Sequence, residues 1–229
     1  MIKNYSNTAV LIFAQNAEAD AQHKLIANNK QLMNVLNERV IQQVERSGLD
    51  YFHFTEADQR GLGFGQRFSN SIQNVFEKGY QHVICVGNDT PGLTTSHLFT
   101  AAESLNNGKV INGPSIDGGY YLMGIAASGF DPKSFEELPW QTSRLASSYH
   151  DLLQENGFEV ELLEYLVDLD SEEDIKRLFR GQDLRSSLVQ SILKTLSSKR
   201  ILYVYTSKQT ISVFFELPLN KGSPASIAA

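Results

Sequence analysis

The run Val83-Ile84-Cys85-Val86, stopped by Gly87-Asn88-Asp89, constrains this chain more than any other segment. Four consecutive apolar residues between turn signals mark a strand buried on both faces, and such strands belong to sheets covered by helices. Val10–Phe13 and Tyr51–Phe54 read as further strands, and helical stretches are expected over about Lys30–Glu45, Gln66–Lys78 and Thr94–Leu105. In the first of these, Leu32, Leu36, Val40 and Val44 fall four apart on one face, and Gly48 stops the pattern. Strand and helix therefore alternate as in a doubly wound α/β sheet. Ligands of such sheets bind beyond the carboxyl ends of the strands, so Asp89, on a loop held by Pro91 and Gly92, is placed to hold a divalent cation. The alternative is that Asp89 caps the helix opening near Thr94.

Lys109–Pro114 reads as another strand, followed by Asp117-Gly118-Gly119-Tyr120-Tyr121. Two glycines after an aspartate permit positive φ and close backbone approach, as a bound pyrophosphate or sugar needs. The same residues also read as a hairpin turn between Val110–Gly113 and Tyr120–Ile125, and the two readings are compatible.

Four segments in order, VGNDTPGL, GPSIDGGYYLMGI, LPWQTSR and VDLDSEEDI, resemble an uncharacterised bacterial family of glycosyltransferase-A-like proteins. That family is similar to the molybdenum cofactor and phospholactate guanylyltransferases and, more distantly, to sugar-acid cytidylyltransferases. The resemblance spans roughly residues 8 to 180. It implies a three-layer, Rossmann-like nucleotide-diphospho-sugar transferase fold with a mostly parallel sheet. It further implies that Asp89 and Asp170 hold a metal, Mg²⁺ or Mn²⁺. Asp89 and Asp117 then do the catalytic work, while Asn88, Pro91, Gly118, Gly119 and Tyr120 contact substrate. Arg67, in Gly65-Gln66-Arg67-Phe68, resembles the arginine of the family's helix start. Pro139–Arg144, with Trp140 and Thr142, resembles an acceptor-side element.

The chemistry agrees with that assignment. Transfer from a nucleotide donor develops charge on phosphoryl oxygens, which a hard cation held by two carboxylates neutralises. Asp89 and Asp170 each follow a strand-like run, Val83–Val86 and Val160–Val167, and parallel strands would bring both tips to one edge. For Asp170 the alternative is a cap on the helix Ser171–Phe179, whose first turn carries Glu172, Glu173 and Asp174. For Trp140 it is packing beneath its loop, ahead of a helix over Thr142–Asn156.

One departure is plain. Where the family has a glycine-bearing basic loop, this chain reads Ala14-Gln15-Asn16-Ala17-Glu18-Ala19-Asp20, leaving only His23 and Lys24 near the basic positions. Glu18 and Asp20 would oppose a triphosphate, so a sugar nucleotide is expected to bind better than a nucleoside triphosphate.

A net charge of −6 and no run of more than two Lys or Arg argue against nucleic acid as a partner. Cys85, the one cysteine, reads as a small core residue, and His53 as a half-buried strand residue. The first apolar run, Ala9–Ala14, is too short for a signal segment or a membrane span, so the cytoplasm is expected. Arg60–Gly65 reads as a mobile loop. The expected division is a transferase-like domain over residues 1–180 and an extension over 181–229. In the extension, Leu184, Leu188, Ile192 and Leu196 mark a helix, and Ile201–Tyr205 with Ile211–Phe215 a hairpin. Its aromatic residues suit either coverage of a sheet edge or a homodimer contact. The tail from Asn220 is expected to fray. The expected function is a metal-dependent glycosyl- or nucleotidyltransferase using a nucleotide or nucleotide-sugar donor. The alternative is a non-catalytic relative that binds a metabolite or protein partner on the same scaffold.

Overall fold

A computed structural model describes residues 5–21, 24, 26, 29–180 and 187–196, and the hairpin strands 201–205 and 211–215 as backbone. In chain order the elements are β1 (Thr8–Phe13), α1 (Ala17–Asp20), α2 (Asn29–Ser47), β2 (Asp50–Phe54), α3 (Phe64–Glu77), β3 (His82–Val86), α4 (Thr95–Asn106), β4 (Val110–Pro114) and β5 (Tyr120–Ala126). Then come α5 (Pro132–Glu136), α6 (Leu145–Glu155), β6 (Val160–Leu162), α7 (Glu172–Phe179), α8 (Ser187–Leu196), β7 (Ile201–Tyr205) and β8 (Ile211–Phe215).

Six strands form one sheet in the order β2-β1-β3-β5-β4-β6, and β5 alone runs antiparallel to its neighbours. The expected α/β fold with a mostly parallel sheet is what the chain adopts. The pleat sends alternate residues to opposite faces. Val10, Ile12, Ile84 and Val86 join α2 and α4 in one core, and Ala9, Leu11, Val83 and Cys85 join α3, α5 and α6 in the other. A third cluster gathers Leu32, Met33 and Leu36 of α2 with Ile175, Leu178 and Phe179 of α7 and Val189, Ile192 and Leu193 of α8. Among the described residues no helix is long and apolar enough to cross a membrane.

The Asp117-Gly118-Gly119 turn does join two antiparallel strands, β4 and β5. Two expectations about element length are corrected. The strand over Val160–Val167 ends at Leu162, where its pairing with β4 stops at Asn112, and Pro114 further along β4 has no N–H to continue the ladder. Beyond it the segment only touches β4's exit, through a Ser115–Leu166 bridge and the Leu166 N–H donating to Pro114 O at 3.2 Å. The helix expected from Thr142 begins at Leu145, since Gln141 turns the chain at φ 60° and the Thr142 hydroxyl donates back to Pro139 O at 2.7 Å. The loop before α3 is fastened to it, with the Leu62 N–H donating to Gln66 Oε1 at 2.8 Å and Asn70 Nδ2 to Arg60 O at 2.9 Å.

Since β1, β3, β4 and β6 run the same way, their carboxyl ends share one edge of the sheet, where β5 begins. A cleft of about 760 Å³ opens there. A smaller cavity of about 220 Å³, between the far end of β5 and α6, is lined mainly by apolar side chains and holds none of the residues singled out above.

Candidate functional site

One wall of the cleft is acidic. Asp89 follows β3, and its backbone carbonyl accepts from the Leu169 N–H at 2.9 Å, which ties the loop after β3 to the segment before α7. Leu169 is fully buried, and residues two apart in an extended segment share a side, so Asp168 and Asp170 both face the cleft around it. Neither Asp89 nor Asp170 caps a helix. Thr94 stands at the start of α4, and Ser171 with Asp174 forms the capping box of α7. Instead both carboxylates hold one ammonium: Lys24 Nζ lies 2.7 Å from Asp89 Oδ2 and also donates to Asp170 Oδ1. Two oxygens on one nitrogen lie no more than about 6 Å apart.

The electrostatics of this wall are unbalanced. The Lys24 side chain is 9% exposed. Burial alone would lower its pKa, but Asp89 and Asp170 outweigh it and hold the amine above its ordinary value. Among the described residues no cation pairs with Asp168. Burial, and then the like charge of Asp89, push its carboxyl up to about 7, although it accepts a hydrogen bond from Thr90 Oγ1. Asp20 is also raised, first by burial, against the stabilising bond from Asn88. Asn88 is itself buried and donates from Nδ2 to Asp20 Oδ2 at 2.6 Å and to Asn37 Oδ1 at 2.7 Å.

The opposite wall is aromatic. Phe13 ends β1 and stacks on Phe68 at 4.7 Å, while Trp140 lies 5.3 Å from Phe64, 5.4 Å from Phe68 and 4.8 Å from Phe135. The indole N–H donates to Phe135 O at 2.8 Å. Gly65 makes this packing possible. A Cβ there would sit 2.6 Å from both Trp140 Cδ1 and Glu136 O. Trp140 thus packs as an anchor and also lines the cleft.

Residues 10–142 match the family described as "Uncharacterized protein conserved in bacteria (DUF2064)", more than half of the chain. The chain belongs to this family. Among solved structures it is similar to a candidate nucleotide-diphospho-sugar transferase from Desulfovibrio desulfuricans G20, at 22% identity and a TM-score of 0.73, over 84% of this chain and 96% of that one. That likeness shows the fold. More distant neighbours are Rv0371c from Mycobacterium tuberculosis H37Rv in complex with manganese (11% identity, TM-score 0.47, 76% of this chain and 99% of that one) and the inositol-1-phosphate CTP transferase from T. maritima (12%, 0.41, 86% and 99%). A comparison with curated proteins found no match. The family match takes in Asp20, Lys24, Asp89 and the aromatic wall and ends at Thr142, so Asp168 and Asp170 lie beyond it.

Of the residues singled out in the sequence, Arg67, Asn88, Asp89, Asp117, Gly119, Tyr120, Trp140, Thr142 and Asp170 line the cleft. Pro91 and Gly118 do not. Pro91 is buried and its carbonyl accepts from Arg39 Nε at 2.8 Å. Gly118 has φ 97°, and a Cβ there would lie 2.8 Å from Ser143 O, so the close approach it allows is to the protein's own backbone. Asp117 accepts from the Gly119 N–H at 3.0 Å on the cleft rim, and Tyr120 donates to Ala146 O at 2.8 Å. Glu18 and Asp20 part company, because residues two apart on a helix face different ways. Glu18 pairs with Lys30 at 2.8 Å in solvent, while Asp20 lines the cleft. His23 lies outside the described residues. Sequence reasoning passed over Asp168, whose signal was its alternation with Asp170 about a leucine.

The donor set suits a hard cation. Among the described residues no three His, Cys, Asp or Glu side chains converge to chelate an ion by themselves. Asp89 and Asp170 nevertheless already meet on one cationic group, and Mg²⁺ commonly takes one or two carboxylates and fills its shell with water and phosphate oxygens.

Proposed function

We propose that this cleft is the active site of a transferase that takes a nucleotide-sugar donor, with Asp89 and Asp170 as the carboxylates for a divalent cation. The observation that carries this reading is the meeting of two aspartates from separate sheet-end loops on a single cationic group. A hard cation bound there would neutralise charge on the donor's diphosphate oxygens. The chain's own residues do the rest. Arg67, in the first turn of α3, adds a fixed positive charge for the diphosphate, and the aromatic wall of Phe13, Phe64, Phe68 and Trp140 offers apolar faces to a base or sugar ring. Asp117, exposed on the rim beside the α6 end of the cleft, would accept a proton or hydrogen bond from an acceptor hydroxyl, a role its exposure on the cleft supports. Asp20 on the same surface weighs against triphosphates, so glycosyl transfer is favoured over nucleotidyl transfer.

A second reading has its own support: Lys24 already satisfies the carboxylate pair, as a non-catalytic binding protein on this scaffold would allow. Thermal-shift measurements with nucleotides and sugar nucleotides, with and without Mg²⁺ or Mn²⁺, separate the two, because a ligand of the folded state raises Tm. Metal-dependent stabilisation by a sugar nucleotide, lost in Asp89→Asn with the fold intact, is the expected result. Stabilisation by a metabolite that ignores both metal and Asp89 would favour the second reading.

A further inference from the structure

We propose that Lys24 is a displaceable occupant of the cation position: its ammonium and a divalent cation compete for the Asp89–Asp170 pair, and entry of the metal releases Lys24 into the cleft. This rests on reading the pair as a metal site. Three observations carry it. The ammonium touches both carboxylates, so an ion bridging the same two groups cannot enter while Lys24 stays. One positive charge is also too little for the wall it serves, since Asp20, Asp89, Asp117, Asp168 and Asp170 line a cleft to which the described residues contribute only Lys24 and Arg67 as cations. A divalent ion carries twice the charge and approaches carboxylate oxygens to about 2.1 Å, so it can win the site despite the desolvation of both partners. Finally, Lys24 can leave without unfolding its segment. Asn29 Nδ2, at the head of α2, donates to Lys24 O at 3.2 Å and to Ala21 O at 2.5 Å, which holds the backbone while the four-carbon stem turns. The released ammonium is then free to meet an anionic ligand.

Linkage makes the coupling reciprocal: removing Lys24 must tighten metal binding, and adding metal must expose Lys24. Titration calorimetry or electron paramagnetic resonance with Mn²⁺ alone is expected to show Lys24→Met binding about ten-fold or more tightly than the wild type, a coupling of the usual allosteric size. Arg67→Met removes a cation from the same cleft without vacating the pair and is expected to shift the constant by less than about three-fold. In the unaltered protein, acylation of Lys24 by an amine-reactive ester, read by peptide mass spectrometry, is expected to rise with saturating Mg²⁺ while exposed Lys133 is unaffected. Mn²⁺ binding with no gain in Lys24→Met and no change in Lys24 labelling would overturn the competition and leave the metal reading standing. Weaker binding in Lys24→Met would also overturn it, by showing that Lys24 orders the pair. Absence of Mn²⁺ binding in both proteins would sink the metal reading and the competition with it.

Discussion

The aromatic and acidic walls of the cleft are built differently from the same sheet edge. On the aromatic side, rings meet at centroid distances from 4.7 to 5.8 Å, and the Trp140 indole N–H has its acceptor in Phe135 O. No polar demand is left for a ligand to satisfy there. On the acidic side, one buried ammonium serves two carboxylates, and Asp168 beside them relieves its own repulsion by holding a proton near neutral pH. The first wall gains stability from what it is, whereas the second spends stability that a bound cation can return. This division marks the acidic wall as the place where chemistry is expected and the aromatic wall as its support.

The largest effect should come from breaking the support. Trp140→Ala removes an indole that touches Phe64, Phe68 and Phe135, and is expected to cost about 4 kcal/mol in urea unfolding. A cost below about 1 kcal/mol would show that the tryptophan serves a ligand rather than the fold. Lys24→Met, on the other wall, leaves two carboxylates facing each other without their cation and is expected to cost about 2 to 3 kcal/mol, less than a fully buried pair would, because Asp89 and Asp170 stay partly solvated. Measured against wild type at the same millimolar Mn²⁺, part of that loss should be restored and none of the loss in Trp140→Ala. If Lys24→Met proved neutral, the picture of a strained acidic wall would fail.

The support was easier to read in the sequence than the strain. Val83–Val86 declared a central strand because burial on both faces demands an unbroken apolar run, and Gly87-Asn88-Asp89 marked the edge where it stops. The hairpin turn at Asp117-Gly118-Gly119 was legible for the same local reason, since φ 97° at Gly118 needs glycine. The nearness of Asp89 and Asp170 was expected from two strands ending at one edge, but β6 stops at Leu162 and it is the Leu169 N–H on Asp89 O that brings Asp170 there. What escaped was set by contacts distant in sequence. That Lys24 fills the gap between carboxylates 65 and 146 residues away has no local signature. Nor does the separation of Glu18 from Asp20, which depends on a single turn of helix that the loop composition did not announce. The late start of α6 at Leu145 hangs on one backbone turn at Gln141, a residue with no strong preference for positive φ.

A smaller effect tests the strain itself. The folded-state pKa of Asp168, raised to about 7, stands above the value near 4 that an unfolded chain would give, so the native state binds the extra proton. Stability from this group is therefore full below about pH 4 and falls as pH rises through about 7. Asp168→Asn keeps an acceptor for Thr90 Oγ1 and removes the charge. Against the wild type it should gain on the order of 2 kcal/mol at pH 8, after discounting for relaxation, and nothing at pH 4. Denaturant midpoints at the two pH values measure the difference. An equal effect at both would mean that Asp168 is not protonated in the native cleft.

The smallest expected effect separates the two acids of the opening loop. Asp20 lines the cleft and is close enough to Asp89 for their charges to interact, whereas Glu18 turns to solvent and is neutralised by Lys30. A nucleoside triphosphate in the cleft would feel the first charge and hardly the second, because water and salt screen an exposed carboxylate over about 8 Å. Asp20→Asn keeps a carbonyl oxygen for the Asn88 amide, so the buried link among Asp20, Asn88 and Asn37 survives the loss of charge. Titration calorimetry with GTP or CTP in Mg²⁺ is then expected to show Asp20→Asn binding about five-fold more tightly than wild type, roughly 1 kcal/mol, and Glu18→Gln unchanged. A sugar nucleotide, carrying less charge, should gain less from the same substitution. If Glu18→Gln relieved triphosphate binding as much as Asp20→Asn, the repulsion would be a property of overall charge rather than of this wall. If wild type bound GTP or CTP at micromolar concentration and no sugar nucleotide at all, nucleotidyl transfer would replace glycosyl transfer as the reading of the cleft.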